Sequence, residues 1–115
     1  MTSEIRNTAW TAQNGTTIAL EQLLADTQLS PVKRISIEQL KKRLVNWKDD
    51  VQEWERVKYV DITYPPIVLI SDSEVDMIVD GHHRIHKAIQ LGYKEIDAKL
   101  ISLDELPAEY EKVFG

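Results

Sequence analysis

The three histidines of this chain and one arginine fall within five consecutive residues, His82-His83-Arg84-Ile85-His86, directly after Asp80-Gly81. An imidazole titrates near neutral pH and can donate, accept or ligate, whereas a guanidinium is a permanent cation with a planar fork of donors. The apolar run Met77-Ile78-Val79 leads into this group, and Ile85, Ala88, Ile89 and Leu91 follow at helical spacing as an inner side. The pattern predicts a strand over 75–80, a turn at Gly81, and a helix from His82 to Leu91 that Gly92 stops in the C′ position. A helix starting there has unpaired N–H groups and a partial positive charge at its first turn. With Arg84 beside them, Gly81, His82, His83 and Arg84 form a candidate anion site, and phosphate is the expected anion.

Within this group His82 is expected to face the ligand and serve as general acid or base. Arg84 has a plainer alternative, an ion pair with Asp80 or Glu74. His82 and His86, four apart on one helical face, make a candidate metal set with Asp80 across the turn, against which stands a reading of capping or solvated imidazoles. Lys87 is expected to run along the surface, within reach of an outer phosphate.

Such a corner needs a scaffold. Residues 1–14 read as an irregular arm with Trp10 as an apolar anchor, Asn14-Gly15 as a turn, and a helix capped by Thr16 or Thr17 and ending near Asp26, with Ile18, Leu20, Leu23 and Leu24 inward. Val32 to Ser36 alternates as a half-buried strand. Ser36-Ile37-Glu38-Gln39 is a capping-box pattern that starts a helix at Ile37. Leu40, Leu44, Trp47, Val51 and Trp54 then recur at helical steps, predicting one long amphipathic helix over most of 37–57, with a break near 46–50 as the alternative. Pro65-Pro66 fixes an extended entry to Ile67-Val68-Leu69-Ile70, a strand buried on both faces, and Ser71 to Glu74 turns it into a hairpin with the strand over 75–80. Ile96 to Ile101 alternates as a further strand, and Ser102-Leu103-Asp104-Glu105 is a second capping box before a final helical piece ending at Phe114. The expected fold is α+β, a small mixed sheet with flanking helices, with 1–30 as arm and short helix and 31–115 as the domain proper.

The composition narrows the chemistry. A chain of 115 residues with 43% hydrophobic content is sized for one compact domain. It has no cysteine, which excludes disulfide scaffolds, thiolate metal sites and a cysteine nucleophile. A net charge of −5 argues against a broad grip on duplex DNA. The first residues show no basic segment leading into an apolar one, and the longest apolar run is far too short to span a bilayer, so a soluble, cytoplasmic protein with no membrane partner is expected.

From Pro65 to Ile101 the chain resembles the ParB/sulfiredoxin superfamily. The elements that carry the likeness are Tyr64-Pro65-Pro66-Ile67-Val68, the turn Val79-Asp80-Gly81-His82-His83-Arg84, the helix end Ala88 to Gly92, and the strand Ile96 to Ile101; Val32 to Leu40 is similar to the family's first strand and its turn into a helix. The resemblance implies a ParB/sulfiredoxin-like fold. Sulfiredoxins place a cysteine two residues before the arginine, where this chain has His82, so that activity is excluded. ParB proteins hold CTP at this turn. Free serine kinases have an Asp-Gly-His-Thr-Arg turn similar to Asp80-Gly81-His82-His83-Arg84. By that likeness Arg84 and the turn amides would hold phosphate, Asp80 would bind a metal such as Mg²⁺ or position the acceptor, and Glu38 would be the glutamate after the first strand. In the family pattern His83 acts mainly by hydrogen-bonding the fold together.

These readings converge on a domain that binds a nucleotide (CTP, ATP or ADP) or another phosphate ester, with phosphate hydrolysis or transfer as an extension and with His82, Asp80 and Glu38 as candidate catalytic residues. The alternatives are a DNA-acting ParB-like nuclease or accessory factor, and a non-enzymatic interaction domain of phage or plasmid type that forms a homodimer or meets a protein partner through Trp47 and Trp54.

Overall fold

A computed structural model describes residues 9–115. The chain divides into two compact units, Met1–Ser30 with Ser102–Gly115, and Pro31–Ile101. Residues 102–115, expected to belong with 31–101, group with the N-terminal segment instead.

In the first unit, β1 (Ala9–Thr11) and β2 (Thr17–Ala19) form an antiparallel hairpin in which Trp10 lies opposite Ile18. Gly15 takes a φ of 92°, and the Asn14 side chain accepts from the Thr16 amide at 2.9 Å, which fixes the bend. The helix expected from Thr16 or Thr17 starts later, as α1 (Leu20–Asp26), because residues 17–19 pair across the hairpin. Ile18, Leu20 and Leu23 are buried as expected, whereas Leu24 is exposed. Trp10, expected in an irregular arm, sits in a strand and meets Phe114 edge-on at 5.5 Å. The expected arm over residues 1–8 lies outside the described residues. Ser102 and Glu105 form the predicted capping box around a short 3-10 turn, and α5 (Glu109–Phe114) follows, with Tyr110 fully buried and its hydroxyl donating to Asp26 at 2.7 Å.

The second unit is built on β3 (Val32–Ser36), β4 (Ile67–Ser71), β5 (Glu74–Asp80) and β6 (Glu95–Ile101), a four-stranded sheet in the order β3-β6-β4-β5. β4 and β6 are parallel and the other pairs antiparallel. This is a small mixed α+β arrangement. The β4–β5 hairpin turns through Asp72 and Ser73, both at positive φ, the two-residue turn whose twist matches the strands. Register shifts at Ile67/Val68 and Leu69/Ile70 place extra residues in β5, so that Ile78 and Val79 are both buried and Asp80 comes opposite Ile67.

Three helices accompany the sheet: α2 (Ile37–Lys41), α3 (Val51–Tyr59) and α4 (His82–Gln90). Ser36 caps α2 through the Gln39 amide, as its sequence pattern predicts. The amphipathic run over 37–57 is interrupted more widely than expected, from 42 to 50. Asn46 accepts from the Lys48 amide, Lys48 adopts a φ of 54°, and Asp50 accepts from the Gln52 and Glu53 amides to start α3 afresh. The core combines Ile35, Ile37, Leu40, Val68, Ile78, Ile85, Ala88, Ile96 and Ala98. α4 ends as a Schellman motif, with Gly92 at a φ of 86° and the amides of Gly92 and Tyr93 donating to Ile89 and Ala88. Leu91, read as inner, is exposed.

No helix among the described residues is long and apolar enough to cross a membrane.

Candidate functional site

Gly81 links β5 to α4 with a φ of 110°, a conformation that side chains other than glycine's rarely adopt. It supplies no side chain to cap α4, and the first-turn amides of His82, His83 and Arg84 have no partner within the helix. Arg84 stands at that turn with its side chain only 18% exposed. Its Nη1 donates to the Pro65 carbonyl at 3.3 Å and to Asp80 Oδ2 at 3.4 Å, while Nε and Nη2 make no hydrogen bond among the described residues. Arg84 is therefore ion-paired with Asp80 through one nitrogen and keeps two nitrogens without a hydrogen bond among the described residues.

Arg84 lines a cavity of about 360 Å³. Val32, Ile62, Pro65, Pro66, Ala88 and Ile96 give it apolar walls, and Arg34, Thr63, Tyr93, Glu95 and Asp97 add polar groups. Arg34 is paired with Asp97 at 3.4 Å and with Glu95 at 4.0 Å, all well exposed, so these pairs add little stability. Next to the cavity, two hydrogen bonds from Thr63 hold the Asp61 carboxyl below its usual pKa, with the charges of Arg84 and Lys87 acting the same way. Lys87 does not run free along the surface: its Nζ donates to the Lys58 and Val60 carbonyls at 2.9 and 3.0 Å, tying the end of α3 to α4.

The histidines do not converge on the cavity. His82 Nδ1 accepts from the Val45 amide at 3.2 Å and its Nε2 donates to the Ile78 carbonyl at 3.1 Å, so both nitrogens are engaged within the fold and neither is free to meet a ligand. Burial, reinforced by His86 and His83, holds its pKa below the ordinary 6.5, against the Ile78 bond and Asp80. His86 Nε2 donates to the Val45 carbonyl at 2.7 Å. His83 stacks on Trp47 at 4.6 Å and meets Glu53 through Nε2 at 2.8 Å. Trp47 and Trp54 pack edge-on at 5.2 Å, and Trp54 Nε1 donates to the Lys48 carbonyl. These tryptophans are half-buried against histidines.

Glu38 is exposed, pairs with Lys41 at 3.2 Å and does not line the cavity. The proposed catalytic trio of His82, Asp80 and Glu38 is thus dispersed into three separate partnerships. The metal set fares no better. Asp80 pairs with Arg84, His82 has both nitrogens engaged, and no cluster of three His, Asp or Glu side chains able to hold a metal ion occurs among the described residues. The His82, His86 and Asp80 set is therefore not assembled, and Asp80, the carboxylate expected to meet Mg²⁺, is held by Arg84.

Arg34, Thr63 and Tyr93 were not singled out from sequence. Arg34 and Asp97 meet only because they are register partners on β3 and β6, which no local motif encodes. Compared with protein-family models, curated proteins and solved structures, the chain finds no match.

Proposed function

We propose that residues 31–101 bind a small phosphate-bearing molecule, a nucleotide or another phosphate ester, in the cavity beside α4. The observation that carries this reading is the half-used guanidinium of Arg84: largely withdrawn from solvent, held by Nη1 alone, and lining a cavity at the small end of the range typical for ligand sites. A guanidinium fixed on one side loses little freedom when its other donors take an oxyanion. Of the expected anion set, Arg84 alone lines this cavity; Gly81, His82 and His83 do not. Tyr93 and the paired prolines offer a flat apolar wall for a base or another ring. The resemblance to ParB and to free serine kinases points to the same turn.

The function proposed is binding. Transfer or hydrolysis would need a base, and His82, the candidate base, already has both nitrogens engaged.

Isothermal titration of the full chain with ADP, ATP, CTP and inorganic phosphate tests this. Saturable binding of at least one, lost in Arg84→Ala while the variant keeps its circular dichroism spectrum, is the expected result. No heat with any of the four, or equal binding by Arg84→Ala, overturns it.

A further inference from the structure

The two polar main-chain groups of a single residue, Val45, are held by two histidines one helical turn apart. His82 Nδ1 accepts its N–H at 3.2 Å and His86 Nε2 donates to its carbonyl at 2.7 Å. The two respond differently to a proton. Nε2 of His82 is committed to the Ile78 carbonyl, so the ring can accept from Val45 only as the neutral Nε2–H tautomer. His86 donates through Nε2 whether neutral or charged. The stretch they hold, 42–50, has no helix of its own; its further ties are Leu44 against the core, Arg43 on the Val75 carbonyl at 3.4 Å, Trp47 against His83, His86 and Trp54, and, at its far end, the Trp54 indole on the Lys48 carbonyl and Asp50 capping α3.

We propose that His82 is a proton-operated latch: neutral, it fastens the 42–50 segment to α4; protonated, its Nδ1 becomes a donor facing the Val45 donor and releases that segment while the four-stranded sheet stays folded. The surroundings of the ring favour such a switch over a fixed charge. On α4 itself His83 and His86 disfavour a further positive charge, and Asp80 at the end of β5 opposes them. From α3, Glu53 is engaged with His83, and Arg43 on the segment is engaged with the Val75 carbonyl. Among the described residues no carboxylate hydrogen-bonds either nitrogen of His82. Released, the segment uncovers the Trp47 ring and loosens the Trp47–Trp54 contact, giving the unit an acid form with a different surface.

Heteronuclear NMR of the full chain from about pH 8 to about pH 5 tests this across the range in which histidine titrates. The Val45 amide and the Trp47 indole signals are expected to move with one midpoint, below 6.5, shared by the His82 ring as it passes from the Nε2–H tautomer to imidazolium, with the amides of Ile67 to Leu69 unmoved. His82→Gln, which can accept and donate without titrating, should lack the transition, and His86→Gln should retain it. A Val45 transition that persists in His82→Gln overturns the proposal. So does a His82 midpoint different from that of Val45 in the wild-type chain, a readout that serves even if the variant does not fold. A flat Val45 signal, or movement of Val45 only together with the sheet amides, overturns it equally.

Discussion

Gly81 and Pro66 are in contact so close that a Cβ on Gly81 would lie 2.7 Å from the Pro66 Cβ and 2.9 Å from its Cα. The turn that places Arg84 is therefore held by shape as well as by its φ of 110°. Gly81→Ala must meet both costs, left-handed backbone strain and overpacking against a rigid ring, together about 3 kcal/mol. Urea denaturation measures it; a loss below about 1 kcal/mol would show that the chain relaxes around the added methyl.

Arg84 and Asp80 give a paired prediction. Arg84→Lys keeps the charge and loses the fork, so phosphate or nucleotide binding should weaken by about tenfold or more, the equivalent of one charge-assisted hydrogen bond. Asp80→Asn removes the carboxylate that competes for the guanidinium, and affinity for the same probe should rise several-fold. A loss of binding in Asp80→Asn would instead assign Asp80 a positive part in holding the ligand. Calorimetric titration separates the two outcomes.

Stability should depend on pH through His82. Its folded pKa is lowered, chiefly by burial, below the ordinary 6.5. As pH falls past 6.5 the unfolded chain takes up the proton first, so the folded form loses stability between that value and the lower folded pKa and has the full contribution above 6.5. Denaturation midpoints followed from pH 8 downward should fall over that window in the wild type and fall less in His82→Gln. Equal slopes would place the pH dependence elsewhere.

Tyr110→Phe tests the first unit. The ring is fully buried and its hydroxyl donates to Asp26 at 2.7 Å; burial, with Asp26 adding, pushes the phenol well above its usual pKa. Removing the hydroxyl should cost about 1 kcal/mol, the net worth of one hydrogen bond, and leave ligand binding by residues 31–101 unchanged. Thermal melting and the calorimetric titration check the two halves.

The regular elements of residues 31–101 were legible because each is announced locally. Ser36 caps α2, Asp72-Ser73 turns the hairpin, Gly92 stops α4, and β3 to β6 begin and end within a residue of the bounds their patterns predict. The partners of those elements were not. His82 and His86 look like site chemistry in one dimension, yet the groups they hold belong to Val45, some forty residues earlier, and nothing in the pattern around Val45 announces it. The same holds for Thr17 to Ala19, where cross-strand pairing outweighed a helix cap, and for Arg34, which reaches the cavity wall only through the register of β3 on β6.

β5 borders the four-stranded sheet, where bare peptide groups would ordinarily invite a neighbour's strand. Two of its carbonyl oxygens, those of Val75 and Ile78, are already taken by Arg43 and His82. A second copy seeking to extend the ladder there would first have to evict a guanidinium and an imidazole. The side chains that fasten residues 42–50 and α4 thus also guard this flank against aggregation, and the opposite border, β3, meets solvent with the charges of Lys33 and Arg34.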